Sequence, residues 1–137
     1  MADLQYSSIY SGEVFRPMIR FKIRNLSTGI VVAAFGLVDS GCDLCCFPAE
    51  YASKLGHNLD RGARRDLEGF DGSSRPAYLH ENQVEFEDPA GAKAVYRCPT
   101  YFSEALDGYG LLGIRGFFSH FRVTIDNANR LISLAEY

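Results

Sequence analysis

The sequence predicts a mainly β protein with a single domain over residues 1–137, a small closed barrel or sandwich with one or two short helices. Short apolar segments separated by turns account for most of the chain, which is typical of a small β barrel. Hydrophobic residues make up 47% of the chain and charged residues 23%, as in ordinary globular proteins. A length of 137 residues suits one core and is small for a two-lobed enzyme.

Residues 19–24 have the clearest strand pattern, because isoleucine, phenylalanine and isoleucine alternate with arginine, lysine and arginine. This two-residue period is typical of a half-buried strand. Residues 25–29 predict a turn, and residues 30–38 are apolar on both faces, as in a central strand. Residues 48–56 predict a short helix, since proline lies in the first turn and glycine just past the end.

The middle of the chain predicts a long hairpin. Polar residues 58–65 are expected to form a loop. Residues 66–70 and 78–86 are expected to form two strands, with the glycine-rich segment 69–74 as the bend between them. Residues 93–98 then predict another strand.

The last part of the chain predicts short elements. Residues 111–113 are a brief apolar strand closed by glycine, and residues 116–121 predict one or two helical turns. Strands at 123–125 and 131–134 flank a polar turn. Three phenylalanines of the helical turns are expected to face the core: Phe117, Phe118 and Phe121.

Composition and charge exclude several classes of partner. The net charge of −3 gives no reason to expect nucleic acid or an anionic membrane. No apolar run is long enough to span a bilayer, and the first residues lack the basic and apolar segments of a signal peptide. Three of the four cysteines lie within residues 42–46, which favours free thiols in a reducing cytoplasm over a disulfide framework.

The most informative segment is the one in which an apolar run ends in Asp39, Ser40 and Gly41. A carboxylate at the tip of such a turn can act as a base on water if a second acid lies beside it. Two carboxylates held close together share a proton, and their pKa values split apart. Because the chain has one such triplet, the second acid is expected from a second copy across a two-fold axis. Ser40 could hydrogen-bond across that axis, and Gly41 allows close backbone approach.

Four segments in order resemble the retropepsin-type aspartic proteases, and they cover most of the chain from about Arg16 onward. They are residues 16–23 (RPMIRFKI), 36–43 (GLVDSGCD), 69–72 (GFDG) and 111–118 (LLGIRGFF). The closing segments 122–126 and 130–134 fit the last hairpin of that family. The resemblance implies a small closed barrel of the retropepsin-like type and a homodimeric endopeptidase that cleaves polypeptides without a metal or organic cofactor.

The resemblance also implies roles for individual residues. Asp39 is the expected catalytic acid and base, and Ser40 is expected to support the active-site loop. Gly41 is expected to offer its carbonyl to bound peptide, and Asp43 to contact the substrate backbone. The expected flap that closes over the substrate consists of Gly69, Phe70, Asp71 and Gly72. The chain departs from the family pattern at Ser40, Cys42 and Asp71, and residues 98–110 have no clear counterpart.

Two other functions remain open from the sequence. One is a catalytically silent dimeric module that keeps the barrel and binds peptide. The other is a thiol or zinc module, because Cys42 and Cys45 have a C-x-x-C spacing. The other residues that could bind a metal are scattered and form no second paired motif: His57, His80, Cys98 and His120. No metal site is therefore expected.

Overall fold

A computed structural model describes residues 3–69 and 71–137, and within them twelve strands form three sheets. The strands are β1 (Asp3–Ser7), β2 (Ile9–Ser11), β3 (Val14–Arg16), β4 (Met18–Arg24), β5 (Val31–Val38), β6 (Cys46–Pro48), β7 (Ala63–Glu68), β8 (Ser74–Glu87), β9 (Lys93–Ser103), β10 (Gly110–Leu112), β11 (Phe121–Asp126) and β12 (Leu131–Glu136). One α-helix, α1 (Ala49–Lys54), and one 3₁₀ turn (Leu59–Arg61) complete the described elements.

The main sheet closes on itself, which confirms the predicted mainly β barrel. Its strand order is β4-β5-β10-β6-β9-β8-β7, and β4 also pairs with β8. Six strands therefore form a ring, and β7 extends from β8 as the outer strand of a hairpin. In β4 the alternation has the predicted effect, because Ile19, Phe21 and Ile23 are buried while the basic residues between them are exposed.

Aromatic side chains fill the barrel. Phe21 stacks on Phe86 with ring centroids 5.0 Å apart, and it also lies 5.5 Å from the ring of Phe47. Phe117 and Phe121 each lie 5.5 Å from Phe86. All five rings are buried, and tilted or offset pairs at these distances are favourable beyond the area that they bury.

A buried polar network crosses the hairpin of β8 and β9. The Asn82 side chain is fully buried, and its Nδ2 donates to Thr100 Oγ1 at 2.6 Å. Its Oδ1 lies 2.7 Å from Nε2 of His57. The Thr100 hydroxyl donates in turn to the carbonyl of His80. The buried amide is thus satisfied on both sides, as buried polar groups must be.

The two ends of the chain meet in a second sheet. β12 is its central strand, with β1 on one side and β11 on the other. Asp3 lies opposite Ala135, and Asp126 lies opposite Leu131. On the outer side of β1, the N–H of Gln5 donates to the Asp88 carboxylate at 2.9 Å. The separate hairpin of β2 and β3 forms the third sheet.

The predicted elements differ from the structure in several places. The helix predicted at 116–121 is wrong, because residues 116–120 form turns and Phe121 begins β11. Gly116 has a φ of +105°, which a right-handed helix excludes, although Phe117 and Phe121 are buried as expected and Phe118 is partly buried. The expected loop over residues 58–65 contains the 3₁₀ turn and the start of β7.

Strand lengths also exceed the predictions. β8 begins at Ser74 and β9 continues to Ser103, so both strands extend further than predicted toward the bend between β7 and β8. The helix α1 lies within the predicted range, and Gly56 just beyond it has a φ of +83°. No helix in the described ranges is both long and apolar enough to cross a membrane.

Candidate active site

Asp39 lies immediately after β5, where the apolar strand leaves the barrel wall. The residue is half-buried, and its backbone N–H donates to the carbonyl of Leu112 at 3.0 Å. Its side-chain Oδ1 accepts the N–H of Gly41 at 2.9 Å. The carboxylate is therefore held by its own loop and keeps a solvent-facing side, which a base acting on water needs.

The segment that follows β10 holds the loop after Asp39 in place through backbone hydrogen bonds. β10 runs parallel to β5, with Leu112 opposite Val38. The N–H of Ile114 donates to the carbonyl of Cys42 at 2.8 Å, and the N–H of Arg115 donates to the carbonyl of Asp43 at 2.9 Å. These bonds fix the backbone of residues 42 and 43 directly after the acid.

A glycine makes this brace possible. A Cβ atom on Gly113 would lie 2.2 Å from the carbonyl oxygen of Leu44 and 2.4 Å from that of Cys42. Both atoms belong to the backbone, so no side-chain rotation could relieve the contact. Glycine is therefore required by space at this position, where two backbones approach closely.

Ser40 and Asp43 are exposed on the same loop. The Ser40 hydroxyl and the Asp43 carboxylate have no hydrogen-bond partner within the described part of the chain. Cys42 between them is partly exposed, and burial of its inner side raises the pKa of its thiol. Asp39, Ser40, Gly41 and Asp43 thus lie together on one short loop.

The predicted flap bend lies at the tip of the β7–β8 hairpin, where Glu68 is opposite Ser74. The N–H of Gly69 donates to the carbonyl of Ser73 at 2.9 Å, and Gly72 adopts a φ of +80°. Oδ1 of Asp71 accepts the hydroxyl and the N–H of Ser73 at 2.6 and 2.9 Å. These bonds, led by the one from the hydroxyl, lower the pKa of Asp71. Phe70 lies outside the described residues, so its expected role stays a prediction.

A groove of about 630 Å³ separates the Asp39 loop from β7. Gly41 and Asp43 line this groove, whereas Gly69, Asp71 and Gly72 are not among its lining residues. The lining residues outside the two motifs are not predicted from the sequence: Leu44, Arg65, Asp66, Leu67, Glu68, Ser74 and Leu111. Arg65 falls in the range predicted as a loop, whereas Asp66, Leu67 and Glu68 fall in the strand predicted at 66–70, and no motif in either range indicated a groove.

Cys42 lines the groove, whereas the other three cysteines are buried in the core. Cys45, Cys46 and Cys98 are buried, and burial raises the pKa of Cys46 to about 12. Cys45 and Cys98 hydrogen-bond to each other, and this bond together with burial raises the pKa of Cys98. Within the described ranges, no three histidine, cysteine or acidic side chains gather in a way that could hold a metal ion.

The described geometry can be compared with known proteins. The chain is similar to the crystal structure of a retropepsin-like aspartic protease from Rickettsia conorii, with a TM-score of 0.62 and 18% sequence identity. The alignment covers 96% of this chain and 89% of that one. No family model matches the sequence, and no curated protein matches it. The chain therefore has the retropepsin-like aspartic protease fold.

Proposed function

We propose that the protein is an aspartic endopeptidase that works as a homodimer, with one Asp39 from each copy. The observation that carries the proposal is the placement of Asp39 at the exit of β5, half-buried and held by the Gly41 N–H. Each chain supplies one such acid, and the fold is that of the retropepsin-like aspartic proteases. A two-fold axis beside this loop would bring two identical carboxylates together.

The pair would perform general acid–base chemistry. Two carboxylates at hydrogen-bonding distance carry one proton between them. The ionised member takes a proton from water, which attacks the scissile carbonyl, and the protonated member polarises that carbonyl. No covalent intermediate, metal or organic cofactor is required. The free Ser40 hydroxyl is available to bond across the axis and align the two loops.

The substrate would be an extended polypeptide lying in the groove between the catalytic loop and β7. Gly41 and Asp43 line this groove and are proposed to bind the peptide backbone. Gly69, Phe70, Asp71 and Gly72 are proposed to form a flap that closes over the peptide and excludes water. Neither nucleic acid nor a membrane is expected as a partner. The four free thiols suit a reducing compartment, and we propose a cytoplasmic location.

The test is the substitution Asp39→Asn, assayed with a peptide library from acidic to neutral pH. Removing the acid should lower the cleavage rate by about 10²–10⁴-fold or more. Asp107→Asn, a change at an exposed acid remote from the loop in sequence, is the matched control and should cleave like the parent. Both variants should keep the unfolding transition and the dimer of the parent. An Asp39→Asn variant that cleaves at the parent rate would contradict the mechanism.

A parent protein that binds peptides without cleaving any of them would instead identify the silent binding module. The same library separates the two functions, because binding is measured at equilibrium and cleavage by product formation. Inhibition of cleavage by a statine-type peptide would exclude the silent module.

A further inference from the structure

The pairing of β7 with β8 defines which face of β7 is turned toward the groove. Arg65 lies opposite Ala77, and Leu67 lies opposite Arg75. Directly opposed residues of an antiparallel pair place their side chains on the same face of the sheet. Ala77 is fully buried, so this inner face is turned toward the body of the protein. Arg65 and Leu67 therefore face the groove, which both residues line.

The acids of β7 leave the strand on its other, outer face. Asp66 and Glu68 border the groove, but side chains alternate along a strand, so both are directed away from the inner face. On the outer face, Nε of Arg64 pairs with the Asp66 carboxylate at 3.1 Å. Arg65 is exposed and forms no ion pair within the described part of the chain. The wall of the groove therefore presents an uncompensated positive charge, and the exposed Arg75 adds a further one to the inner face.

The floor of the groove, formed by the Asp39 loop, carries the opposite charge. Asp43 lines the groove beside Gly41, and its exposed carboxylate forms no ion pair with any described residue. An acidic side chain placed against the floor would be repelled by Asp43, whereas one placed against the wall would meet Arg65. A guanidinium binds a carboxylate through two parallel N–H···O bonds. The opposite charges of floor and wall thus determine which way an acidic side chain of a bound peptide points.

An apolar surface lies next to Arg65 in the groove. Leu67 and Leu111 are both partly buried lining residues, and Leu67 follows Arg65 by two positions on the inner face. In an extended peptide, side chains two positions apart share a face at a spacing of about 7 Å. The same spacing separates Arg65 from Leu67 along β7. A peptide beside β7 can therefore place an acidic side chain on Arg65 and an aliphatic one on Leu67 at the same time.

We propose that the groove selects polypeptides with an acidic side chain, bound by Arg65, two positions from an aliphatic side chain that packs on Leu67. The proposal rests on the proposed function, because the groove is where the protease would hold its substrate. It assigns the choice of substrate to Arg65 as the specificity-determining residue. The substrate class is an extended segment in which one residue separates the acid from the aliphatic residue.

The experiment is a peptide-library digest in which the preference for glutamate over lysine is measured at each position around the cleaved bond. The parent should prefer glutamate at least about tenfold at one position, and Arg65→Glu should lower that preference at least about tenfold because it brings like charges together. Arg64→Glu is the matched control. It changes the net charge equally on the same strand, but on the outer face, and should keep the parent's preference. Leu67→Ala should weaken the preference for leucine over alanine two positions away and leave the glutamate preference intact.

Equilibrium binding gives a second readout that does not depend on cleavage. Short labelled peptides, each with one glutamate or one lysine at successive positions, are titrated with the Asp39→Asn variant, and fluorescence anisotropy gives the dissociation constants. Adding Arg65→Glu to this variant should lower the preference for the glutamate peptides at least about tenfold. Adding Arg64→Glu instead should leave it unchanged.

The outcomes separate this proposal from the proposed function. A glutamate preference that is absent, that survives Arg65→Glu, or that Arg64→Glu lowers equally would overturn the role of Arg65 and leave the Asp39 chemistry untouched. Binding that depends on Arg65 in a protein whose parent cleaves no peptide supports the selection and contradicts the proposed protease. A parent that neither binds nor cleaves any peptide overturns both proposals.

Discussion

Gly113 offers the sharpest test of how the Asp39 loop is held. In Gly113→Ala the new Cβ would lie 2.2 Å from the Leu44 carbonyl oxygen, whereas carbon–oxygen contacts normally begin at about 3.3 Å. The loop or the β10 segment must therefore move by about 1 Å. Overpacking of this kind costs about 1–3 kcal/mol. The hydrogen bonds of Ile114 and Arg115 to the loop would also be strained, at about 1 kcal/mol each.

The free energy of unfolding of Gly113→Ala should therefore fall by about 3–5 kcal/mol. The chain has no tryptophan, so urea unfolding is best followed by far-ultraviolet circular dichroism. The control is Gly91→Ala, because Gly91 has a φ of +94° and no atom within 4 Å of the new Cβ. It should lose about 1–2 kcal/mol through backbone strain alone. A Gly113 variant no less stable than the Gly91 variant would refute the reasoning.

If the proposed function is right, the Gly113→Ala variant should also cleave peptides more slowly while it is still folded. Displacing a catalytic group by about 1 Å can cost about 10²-fold in rate. The comparison is made at low temperature without denaturant, at concentrations where both proteins are dimeric. Parent-like cleavage by the folded variant would show that the loop tolerates the shift.

Three further predictions concern stability. Hydrogen bonds, led by the one from the Gln5 N–H, lower the pKa of Asp88 in the folded state. The ionised carboxylate therefore stabilises the fold at pH values above the ordinary carboxyl pKa of about 4. This stabilisation is lost as the pH falls through the lowered pKa of the folded state. The difference in unfolding free energy between the parent and Asp88→Asn should shrink as pH is lowered from about 5 to about 2, and a pH-independent difference would contradict this. Asn82→Ala should cost about 2–4 kcal/mol, because it leaves the buried Thr100 hydroxyl without one partner; a loss under about 1 kcal/mol in urea unfolding would refute it. Phe117→Ala should cost about 3–5 kcal/mol by opening a cavity, whereas truncation of the partly buried Phe118 should cost less, and equal losses would count against the assigned core.

The sequence predicts the barrel because many of its strands can be recognised from the pattern of neighbouring residues. The two-residue alternation of β4 is a local property of the sequence. The glycine-rich bend of the β7–β8 hairpin is also a local property. The Asp39 loop is predictable for the same reason, since an apolar run that stops at an acid is recognisable without knowledge of its partners in the fold. Such features need only neighbouring residues to be recognised.

The missed elements depend on partners that are distant in sequence. β1 alternates Leu4 and Tyr6 with polar residues, but its partner strand β12 begins at Leu131, and one short edge strand is a weak signal alone. β6 has three residues, all buried, which periodicity cannot assign. The segment after Gly116 has helix-like phenylalanine spacing, yet Phe118 and Ser119 donate to carbonyls five residues earlier. The groove lining was missed because it combines β7 with a loop more than twenty residues away.

The buried amide of Asn82 also has a consequence for the distant bend of its own hairpin. Asn82 lies opposite Cys98, and its partner Thr100 lies two positions further along β9. Shifting β8 by two residues relative to β9 would keep the same side chains facing the core, but it would leave the buried Asn82 amide without its hydrogen bonds. The strands therefore have one permitted alignment. That alignment sets how far β8 extends beyond the barrel wall. The buried Asn82 side chain therefore fixes the position, relative to the groove, of the hairpin tip between Glu68 and Ser74.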